Sequence, residues 1–415
     1  MIKNESVNQN KYKVKYKIGI PILFLVFLIM IFSCEHKVEL NEKTELNEGY
    51  ISLSSICPPG FKLNENNECV SRNLYQLYEY DSIENIGVGG LKTALPILRE
   101  GFSPQQIDLG RYLFFDPVLS GNGTISCASC HDPNLGFSDG KALGTGIHNG
   151  KMKRSSPTLW NVGYLKKLYW DARAGSLEEQ MQGPLYSEEE MGTTETQLIT
   201  TLNDIEAYRK LFAKAFPQRA NYDSINLNEI YTSITAFESS LISLNSRYDQ
   251  YAHGYHNALN KQEIEGLNIF RSFVARCAEC HTPPLFTNQQ IAVIGTPEPN
   301  GFPLDLGAEI TFNDKTRRGG FKVPSLRNIE LTAPYMHSGK FETLRETVEF
   351  YTKGRGHAVP ENEDLFIHWH IWEPNLTDTE LDRLVDFLKT LTDESFKPRI
   401  PTKVPSGISL KQNNS

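Results

Sequence analysis

The chain is poor in positive charge, in cysteine and in long apolar runs, and each scarcity excludes some classes of function. Lysine and arginine total 42 against 50 aspartate and glutamate residues, which gives a formal net charge of -8 at pH 7. Binding to nucleic acid needs a cationic surface, so this balance argues against a nucleic-acid partner. The 415 residues are 39% hydrophobic and 22% charged, the composition of a globular protein with room for two domains.

One long uncharged apolar run lies close to the N-terminus. Four lysines between positions 11 and 17 precede it, and it extends from Ile18 to Ser33. Such a run is shorter than the roughly 20 residues of a membrane-spanning helix and fits the core of a signal peptide. Its end, Ile31-Phe32-Ser33-Cys34, resembles a bacterial lipobox with Cys34 as the lipidated residue. We therefore predict a periplasmic lipoprotein with a signal over residues 1–34 and membrane contact through the lipid only. A plain signal peptide or a retained anchor is the alternative.

Seven cysteines are present, and four of them belong to a repeated pentapeptide. Cys127-Ala128-Ser129-Cys130-His131 and Cys277-Ala278-Glu279-Cys280-His281 each have the spacing of a c-type haem attachment site. The two thiols bond to the porphyrin vinyl groups, and the histidine is the proximal iron ligand. A zinc knuckle would want four protein ligands at each site, and a redox dithiol has no use for the histidine. We predict two covalently bound haem c groups, with His131 and His281 on the irons.

Cys57 and Cys69 remain once the haem and lipid cysteines are assigned. An exported protein meets an oxidising compartment, so we predict that they form a disulfide closing a small loop. The loop lies in a polar stretch, residues 35–75, that is typical of a tether. Two free thiols are the alternative.

Helix signals surround both pentapeptides. Ser103-Pro104 predicts a helix start before the first one, and an apolar stripe predicts a later helix over about 227–244. A helix over about 261–275 leads into the second one. Capping boxes at Thr343–Glu346 and Thr377–Glu380 predict two more helices after it.

The order helix, pentapeptide, loop and helix thus occurs twice, which indicates an internal duplication. We predict a mainly α fold with two cytochrome c-like haem domains in tandem. The N-terminal domain would cover residues 76–250, the C-terminal domain 251–400, and a tail 401–415.

Five further segments carry a family resemblance. From Phe102 to Asp393 the chain resembles the bacterial di-haem cytochrome c peroxidases, the family that includes MauG, the di-haem enzyme of methylamine dehydrogenase maturation. The matching segments are Leu109–Asp116, Ser156–Asn161, Tyr169–Arg173, Pro324–Asn328 and Ala333–Gly339. The resemblance implies that the N-terminal haem reacts with H₂O₂. The C-terminal haem would relay electrons to it from a small donor protein of the cytochrome c or cupredoxin type.

The resemblance also implies catalytic residues. Gln180, Pro184 and Glu190 follow Trp170 at offsets that match the family's distal-pocket glutamine, proline and glutamate. Glu190 is the candidate acid–base that moves a proton between the two peroxide oxygens. Read without the family, residues 188–190 are simply a solvated charge run. Trp170 matches the tryptophan placed between the two haems as an electron relay, although a buried tryptophan is usually just core.

Further iron ligands are implied as well. His148 lies in the loop where many relatives carry a removable distal histidine, and its alternative is an exposed loop residue. The sixth ligand of the second haem is a methionine in relatives that need reductive activation. Counting fourteen residues on from His337 reaches Tyr351 instead, the MauG-like arrangement. Tyrosinate is a hard anionic donor that stabilises ferric iron. Met336 is the alternative ligand.

The resemblance also implies a bound calcium ion. Thr332 and Pro334 match carbonyl donors of the family's Ca²⁺ site, whereas Ser155 replaces its asparagine. Calcium tolerates such changes because it accepts six to eight oxygens.

The predicted function is a di-haem peroxidase that reduces H₂O₂ to water. Two alternatives stay open at this point. A MauG-like enzyme would oxidise side chains of a partner protein, and a non-catalytic electron-transfer cytochrome would have both irons closed.

Overall fold

A computed structural model of the chain describes residues 51–72, 95–218, 224–354 and 356–410. The predicted signal segment with Cys34 lies outside the described residues, as do residues 35–50 and 73–75 of the predicted tether. Within them, no helix combines the length and the apolar character needed to cross a bilayer.

Helices dominate the described residues, which confirms the mainly α prediction. The first half contains α1 (Pro104–Phe115), α2 (Leu177–Gln180), α3 (Gln182–Tyr186), α4 (Glu195–Asp204), α5 (Glu206–Ala215) and α6 (Leu227–Ser239). The second half contains α7 (Arg247–Ala252), α8 (Lys261–Phe270), α9 (Cys277–Cys280), α10 (Ala308–Phe312), α11 (Leu344–Phe350) and α12 (Asp378–Lys389).

Side-chain caps start the longer helices where the sequence predicts. Ser103, Thr343 and Thr377 each accept the backbone N–H three residues later and receive a side-chain bond in return. These reciprocal bonds satisfy backbone groups that a helix start would otherwise leave unpaired.

Helix ends are less well predicted than helix starts, and after one of them a remote loop bonds to the backbone. The helix predicted over 227–244 stops at Ser239. The N–H of Asn161 donates to the carbonyl of Leu241 at 2.8 Å, and the side-chain oxygen of Asn161 accepts the N–H of Ser243 at 2.9 Å. The helix predicted over 261–275 likewise stops at Phe270.

Two helix pairs organise the fold, and each pair meets at a glycine. A Cβ atom built on Gly110 of α1 would lie 1.8 Å from the carbonyl oxygen of Ser233 in α6. A Cβ atom built on Gly266 of α8 would lie 1.8 Å from the carbonyl oxygen of Arg383 in α12. Only glycine permits backbones to approach this closely.

Each pair buries its own aromatic contact. The ring centroids of Phe114 and Phe237 are 5.0 Å apart between α1 and α6. Those of Phe270 and Phe387 are also 5.0 Å apart, between α8 and α12. All four rings are almost completely buried, in separate hydrophobic clusters.

Strands are short and paired in twos. The antiparallel pair β1 (Phe61–Leu63) and β2 (Cys69–Ser71) carries the predicted Cys57–Cys69 disulfide, which is confirmed with an S–S distance of 2.09 Å. A second antiparallel pair consists of β3 (Ile291–Val293) and β4 (Gly320–Lys322), within the loop region that follows the second pentapeptide.

Candidate haem sites

The first pentapeptide forms a tight turn. Residues 127–129 are a 3-10 turn, and the N–H of His131 donates to the carbonyl of Cys127 at 2.9 Å. Nδ1 of His131 lies 3.0 Å from the carbonyl oxygen of Phe137. Burial lowers the pKa of His131, so the imidazole is neutral. With Nδ1–H donating to the carbonyl, the lone pair of Nε2 is left for a metal.

The second pentapeptide repeats this arrangement on α9. The N–H of His281 donates to the carbonyl of Cys277 at 2.9 Å. Nδ1 of His281 lies 3.1 Å from the carbonyl oxygen of Phe286 and 3.2 Å from that of Pro324. Burial lowers the pKa of His281 to about 4. This imidazole is therefore also neutral and oriented through one nitrogen.

The surroundings of both motifs fit a haem. Cys127, Cys130, Cys277 and Cys280 are half-buried and not in disulfides. Apolar clusters that contain each helix pair pack against the first cysteine of its motif. Across the described ranges, cysteine, histidine and carboxylate side chains form no group of three able to hold a bare metal ion, as a zinc knuckle would require.

Glu190 differs from the two glutamates before it. Glu188 and Glu189 are exposed, whereas Glu190 is half-buried. Burial raises the pKa of Glu190, and Arg173 counteracts part of that rise. The charge of Glu190 in turn raises the pKa of Cys130, after the larger effects of burial and Asp139. Glu190 therefore lies within electrostatic reach of the first motif.

Tyr169 connects the predicted distal residues. Its hydroxyl donates to the carbonyl of Gln180 at 2.5 Å, and the Arg173 guanidinium lies 3.3 Å from its ring centroid. Burial raises the pKa of Tyr169, and Glu190 contributes to that rise. Pro184 accepts the N–H of Met191 at 3.0 Å, which folds the segment back on itself. Gln180 and Glu190 are thus brought to one place, and sequence reasoning had assigned Tyr169 no role.

His148 lies on the surface of an adjacent loop. The N–H of Ile147 donates to the carbonyl of Glu190 at 2.9 Å, so the loop packs against the Glu190 segment. The side chain of His148 itself is exposed. The structure therefore places His148 near the predicted distal segment without turning it inward.

Trp170 lies between segments from the two halves of the chain. Its indole N–H donates to the carbonyl of Ser155 at 2.9 Å, and its carbonyl accepts the N–H of Lys322 in β4 at 2.7 Å. The indole also meets the ring of His337 edge-on at 6.3 Å. His337 stacks on Phe321 at 3.7 Å. Trp170 is thus half-buried and fixed from both sides.

A buried ion cluster holds this junction, and sequence reasoning missed it. Arg154 donates to both carboxylate oxygens of Asp305, at 2.6 and 2.9 Å, and to Asp171 at 2.7 Å. Burial alone would raise the pKa of Asp305, but the Arg154 guanidinium holds it below its usual range. Paired, bidentate contacts of this kind fix orientation. Arg154 therefore ties the segment next to Trp170 to the second half.

Ser155 bridges to the same second-half segment. Its hydroxyl donates to the carbonyl of Met336 at 2.8 Å, and its N–H donates to the carbonyl of His337 at 2.7 Å. Thr332 and Pro334, the predicted calcium donors, are half-buried nearby in sequence. The hydroxyl of Ser155 is thus already engaged within the protein.

Tyr351 lies close to the second motif. It caps the C-terminus of α11. Burial raises the pKa of Tyr351, and Cys280 and Cys277 add to the rise, so the phenol is within electrostatic reach of both thiols. Met336, in contrast, has φ +72° and is held through its carbonyl on the Ser155 side.

Lys322 is a further residue that sequence reasoning missed. It is 9% exposed, and burial together with Lys167 lowers its pKa to about 8. The described residues include no ion-pair partner for its ammonium group. Because buried charges need partners, the Lys322 ammonium group would suit an anionic group such as the carboxylate of a bound cofactor.

Comparisons with known proteins found a family model, relatives and a solved structure that this chain resembles. Residues 104–257 match the family model of di-haem cytochrome c peroxidase. A cytochrome c551 peroxidase of Nitrosomonas europaea is 34% identical over 302 residues, covering 72% of this chain and 83% of the relative. The methylamine utilization protein MauG of Methylorubrum extorquens is 31% identical over 299 residues, covering 72% and 81%. The crystal structure of a MauG-like protein associated with microbial copper homeostasis superimposes with a TM-score of 0.66 at 33% identity, covering 72% and 93%.

Proposed function

Because the chain belongs to the di-haem cytochrome c peroxidase family, we infer that it is an oxidoreductase that reduces hydrogen peroxide to water. The reaction consumes two electrons and two protons per H₂O₂ and yields two waters. The observation that carries the assignment is the contrast between the two motifs. A half-buried carboxyl, Glu190, lies near the first one, and a phenol, Tyr351, lies near the second.

Two haem groups follow from the family, and we propose their attachment. Cys127 and Cys130 would hold one haem through thioether bonds, with His131 as its iron ligand. Cys277, Cys280 and His281 would hold the other. Each haem would supply a redox-active iron, and the one held by Cys127, Cys130 and His131 would supply the iron that reacts with peroxide. The neutral imidazoles, each bonded through Nδ1, support this assignment.

The first site would supply the proton chemistry. Glu190 takes the proton from the near oxygen of bound peroxide and returns it to the leaving oxygen. Burial raises the pKa of Glu190, which is the direction that suits a group that must both accept and donate a proton. Gln180 and Tyr169 would keep the neighbouring wall of the pocket in place.

The second site would be closed by Tyr351 as sixth ligand. Its position near Cys277 and Cys280 supports this over Met336, whose carbonyl is tied to Ser155. Trp170 would pass electrons from the second haem to the first, and its bonds to Ser155 and Lys322 support that placement. His148 as a resting-state ligand would require its loop to turn inward.

Organisation and location are also part of the proposal. The paired helices α1–α6 and α8–α12 support two cytochrome c-like domains in tandem. The Cys57–Cys69 disulfide supports a periplasmic location, and Cys34 would carry a lipid anchor. Calcium bound by the carbonyls of Thr332 and Pro334 would stabilise the second half of the chain where it contacts the Ser155 segment.

A MauG-like oxidation of partner side chains is the second candidate. Tyr351 beside the second motif favours it, since it is the ligand type of MauG-like members. The same residues would then take electrons from side chains of a partner protein instead of from the cofactor of a small donor protein.

Optical and EPR spectra of the oxidised holoprotein test the proposal. We expect one high-spin and one low-spin ferric haem, a rapid spectral change on adding H₂O₂, and steady peroxide consumption with a reduced donor. Two low-spin signals with no response to peroxide would show a non-catalytic cytochrome. Trapping of a covalently modified partner protein would favour the MauG-like alternative.

A further inference from the structure

A five-residue sequence occurs once in each half of the chain. Residues 157–161 are Pro-Thr-Leu-Trp-Asn, and residues 324–328 are Pro-Ser-Leu-Arg-Asn. The asparagine that ends each copy has a left-handed backbone, with φ +61° at Asn161 and +56° at Asn328. The N–H of each asparagine donates to a backbone carbonyl two residues beyond α6 or α12, at 2.8 and 3.1 Å. We call the two copies the first and the second Pro–Asn segment.

Each Pro–Asn segment holds the loop that follows its pentapeptide. The hydroxyl of Thr158 donates to the carbonyl of Gly136 at 2.7 Å, and the hydroxyl of Ser325 donates to that of Leu285 at 2.6 Å. Both carbonyls belong to the residue just before the phenylalanine whose own carbonyl lies within hydrogen-bonding distance of the motif histidine. The two segments therefore support the two histidines in the same way.

One position of the segment differs in charge between the halves. It is Trp160 in the first copy and Arg327 in the second, and these side chains are 2% and 0% exposed. The ring centroid of Trp160 lies 5.0 Å from that of Phe137. The guanidinium carbon of Arg327 lies 5.3 Å from the ring centroid of Phe286. A neutral ring and a cation thus take equivalent places beside the two phenylalanines.

Arg327 makes bonds that a tryptophan cannot make. Its two terminal nitrogens donate to the two carboxylate oxygens of Asp249 on α7, at 2.5 and 2.8 Å. Its Nε donates to the carbonyl of Pro284 at 2.8 Å, and one terminal nitrogen donates to the same carbonyl at 2.5 Å. A planar guanidinium held by a buried carboxylate has little freedom to turn. It therefore fixes the position of the Pro284 carbonyl.

The position of this loop bears on the histidine as an iron ligand. A carbonyl that accepts the Nδ1–H of a ligating histidine raises the basicity of the imidazole. His281 has two such carbonyls, those of Phe286 at 3.1 Å and Pro324 at 3.2 Å. Arg327 belongs to the same segment as Pro324. It also bonds to Pro284, two residues before Phe286, so it restrains both carbonyls.

We propose that Arg327, held by Asp249, is a positioning residue that strengthens His281 as an iron ligand and lowers the reduction potential of the second haem. A more basic ligand stabilises ferric iron, the same direction as the proposed Tyr351 ligand. A lower potential favours passage of an electron from the second haem to the first. Trp160 gives the first haem no such contribution. The inference rests on the haem attachment that is part of the proposed function.

The reduction potentials of both haems in the holoprotein test the proposal. The double variant Arg327→Met/Asp249→Asn removes both charges together, and the asparagine keeps an acceptor for the N–H of Ser246. Arg345→Met/Asp378→Asn removes an ion pair at the surface of the same half and is the matched control. We expect the reduction equilibrium of the second haem to shift about tenfold towards ferrous iron, or about 59 mV for one electron. Potentiometric titration followed by optical and EPR spectra should show the first haem and the control unchanged.

Two single variants separate geometry from charge, and they decide the matter if the double variant does not fold. Arg327→Lys keeps the positive charge next to Asp249, but one ammonium cannot replace the planar fork that also holds Pro284. We expect the second haem to shift in the same direction by a smaller factor. Trp160→Phe keeps an aromatic ring beside Phe137, so the potential of the first haem should stay within about twofold of the wild-type equilibrium.

The outcomes separate this inference from the proposed function. An unchanged second-haem potential in the Arg327 variants overturns the inference, and so does an equal shift of both haems. A shift of the first haem in Trp160→Phe as large as that of the second in the double variant overturns the contrast between the halves. Mass spectrometry that finds no haem on Cys277 and Cys280 of the wild type overturns both inference and proposed attachment. A wild type that holds both haems without consuming peroxide counts against the peroxidase function alone, because the potentials are measured without peroxide.

Discussion

Around the first motif and around the second, the chain builds the same frame from different residues. A helix pair crosses at Gly110 in one half and at Gly266 in the other, with a Cβ clearance of 1.8 Å in both. Each motif histidine lies within hydrogen-bonding distance of a phenylalanine carbonyl, at 3.0 Å for His131 and 3.1 Å for His281. On the proposed function, the repeated part would orient a porphyrin and its histidine in the same way at both sites.

What differs lies outside that frame. The first site has the half-buried carboxyl of Glu190, whereas the second has the phenol of Tyr351. On the proposed function, the two sites share a similar frame and would differ in role through side chains outside it. Loops on a rigid scaffold are where functional residues commonly lie.

Removing the carboxyl at the first site should have the largest effect. We expect Glu190→Gln to lower kcat for peroxide reduction by about 10²- to 10⁴-fold, the usual contribution of a general acid–base group. Steady-state kinetics with ABTS as a small artificial donor measure it. Glu188→Gln, an exposed neighbour, is the matched control and should stay close to the wild type. Equal rates in both variants would remove Glu190 from the mechanism.

Removing the proposed sixth ligand of the second haem should give it the same spin state as the first haem. We expect Tyr351→Phe to convert the second haem from low-spin to high-spin, because the phenyl ring cannot ligate iron. EPR of the oxidised holoprotein reports the change, and Met336→Leu is the control. A spectrum altered by Met336→Leu and unaltered by Tyr351→Phe would assign the ligand to methionine.

Replacing the glycine at either helix crossing should lower the unfolding free energy to a similar extent. A methyl group at Gly110 or Gly266 would collide with a backbone oxygen, so we expect each alanine variant to lose about 1–3 kcal/mol or more of unfolding free energy. Urea denaturation measures the loss. Gly150→Ala, where a Cβ would meet nothing within 4 Å, should be neutral or slightly stabilising. Damage at only one crossing would show that the two frames are not equivalent.

A buried acid adds a pH-dependent difference between the halves. Burial, with a contribution from Glu178, raises the pKa of Glu238 to about 8, whereas Leu388 takes the corresponding place after Phe387 in α12. The folded state therefore keeps a proton that the unfolded state releases from about pH 4.5 upward. The unfolding free energy should fall by up to about 1.4 kcal/mol per pH unit between pH 4.5 and about 8.

Glu238→Gln tests this dependence, because the amide does not titrate. Urea unfolding at pH 5 and pH 8 should show the variant gaining stability relative to the wild type at the higher pH. Glu188→Gln should leave the slope unchanged. A wild-type slope retained in Glu238→Gln would assign the pH dependence to other groups.

Local chemistry alone determined a large part of this protein. The spacing within each pentapeptide indicates haem c. The capping boxes at Thr343 and Thr377 start helices within four residues, and Cys57 forms a disulfide with Cys69 across a short loop. The family resemblance added Glu190, Trp170 and Tyr351 as site candidates. All of these signals act over short stretches of chain or through recognisable spacing.

Only the tertiary structure distinguished residues that look alike in the sequence. Glu188, Glu189 and Glu190 are identical side chains, and packing alone decides which one is shielded from water. Arg154 donates a hydrogen bond to Asp305, which lies 151 positions later in the chain. The Arg276 guanidinium contacts the rings of Trp369 and Trp372. Burial and long-range pairing depend on how distant segments pack, because the free energy of a charge or an exposed ring is set by its neighbours in space.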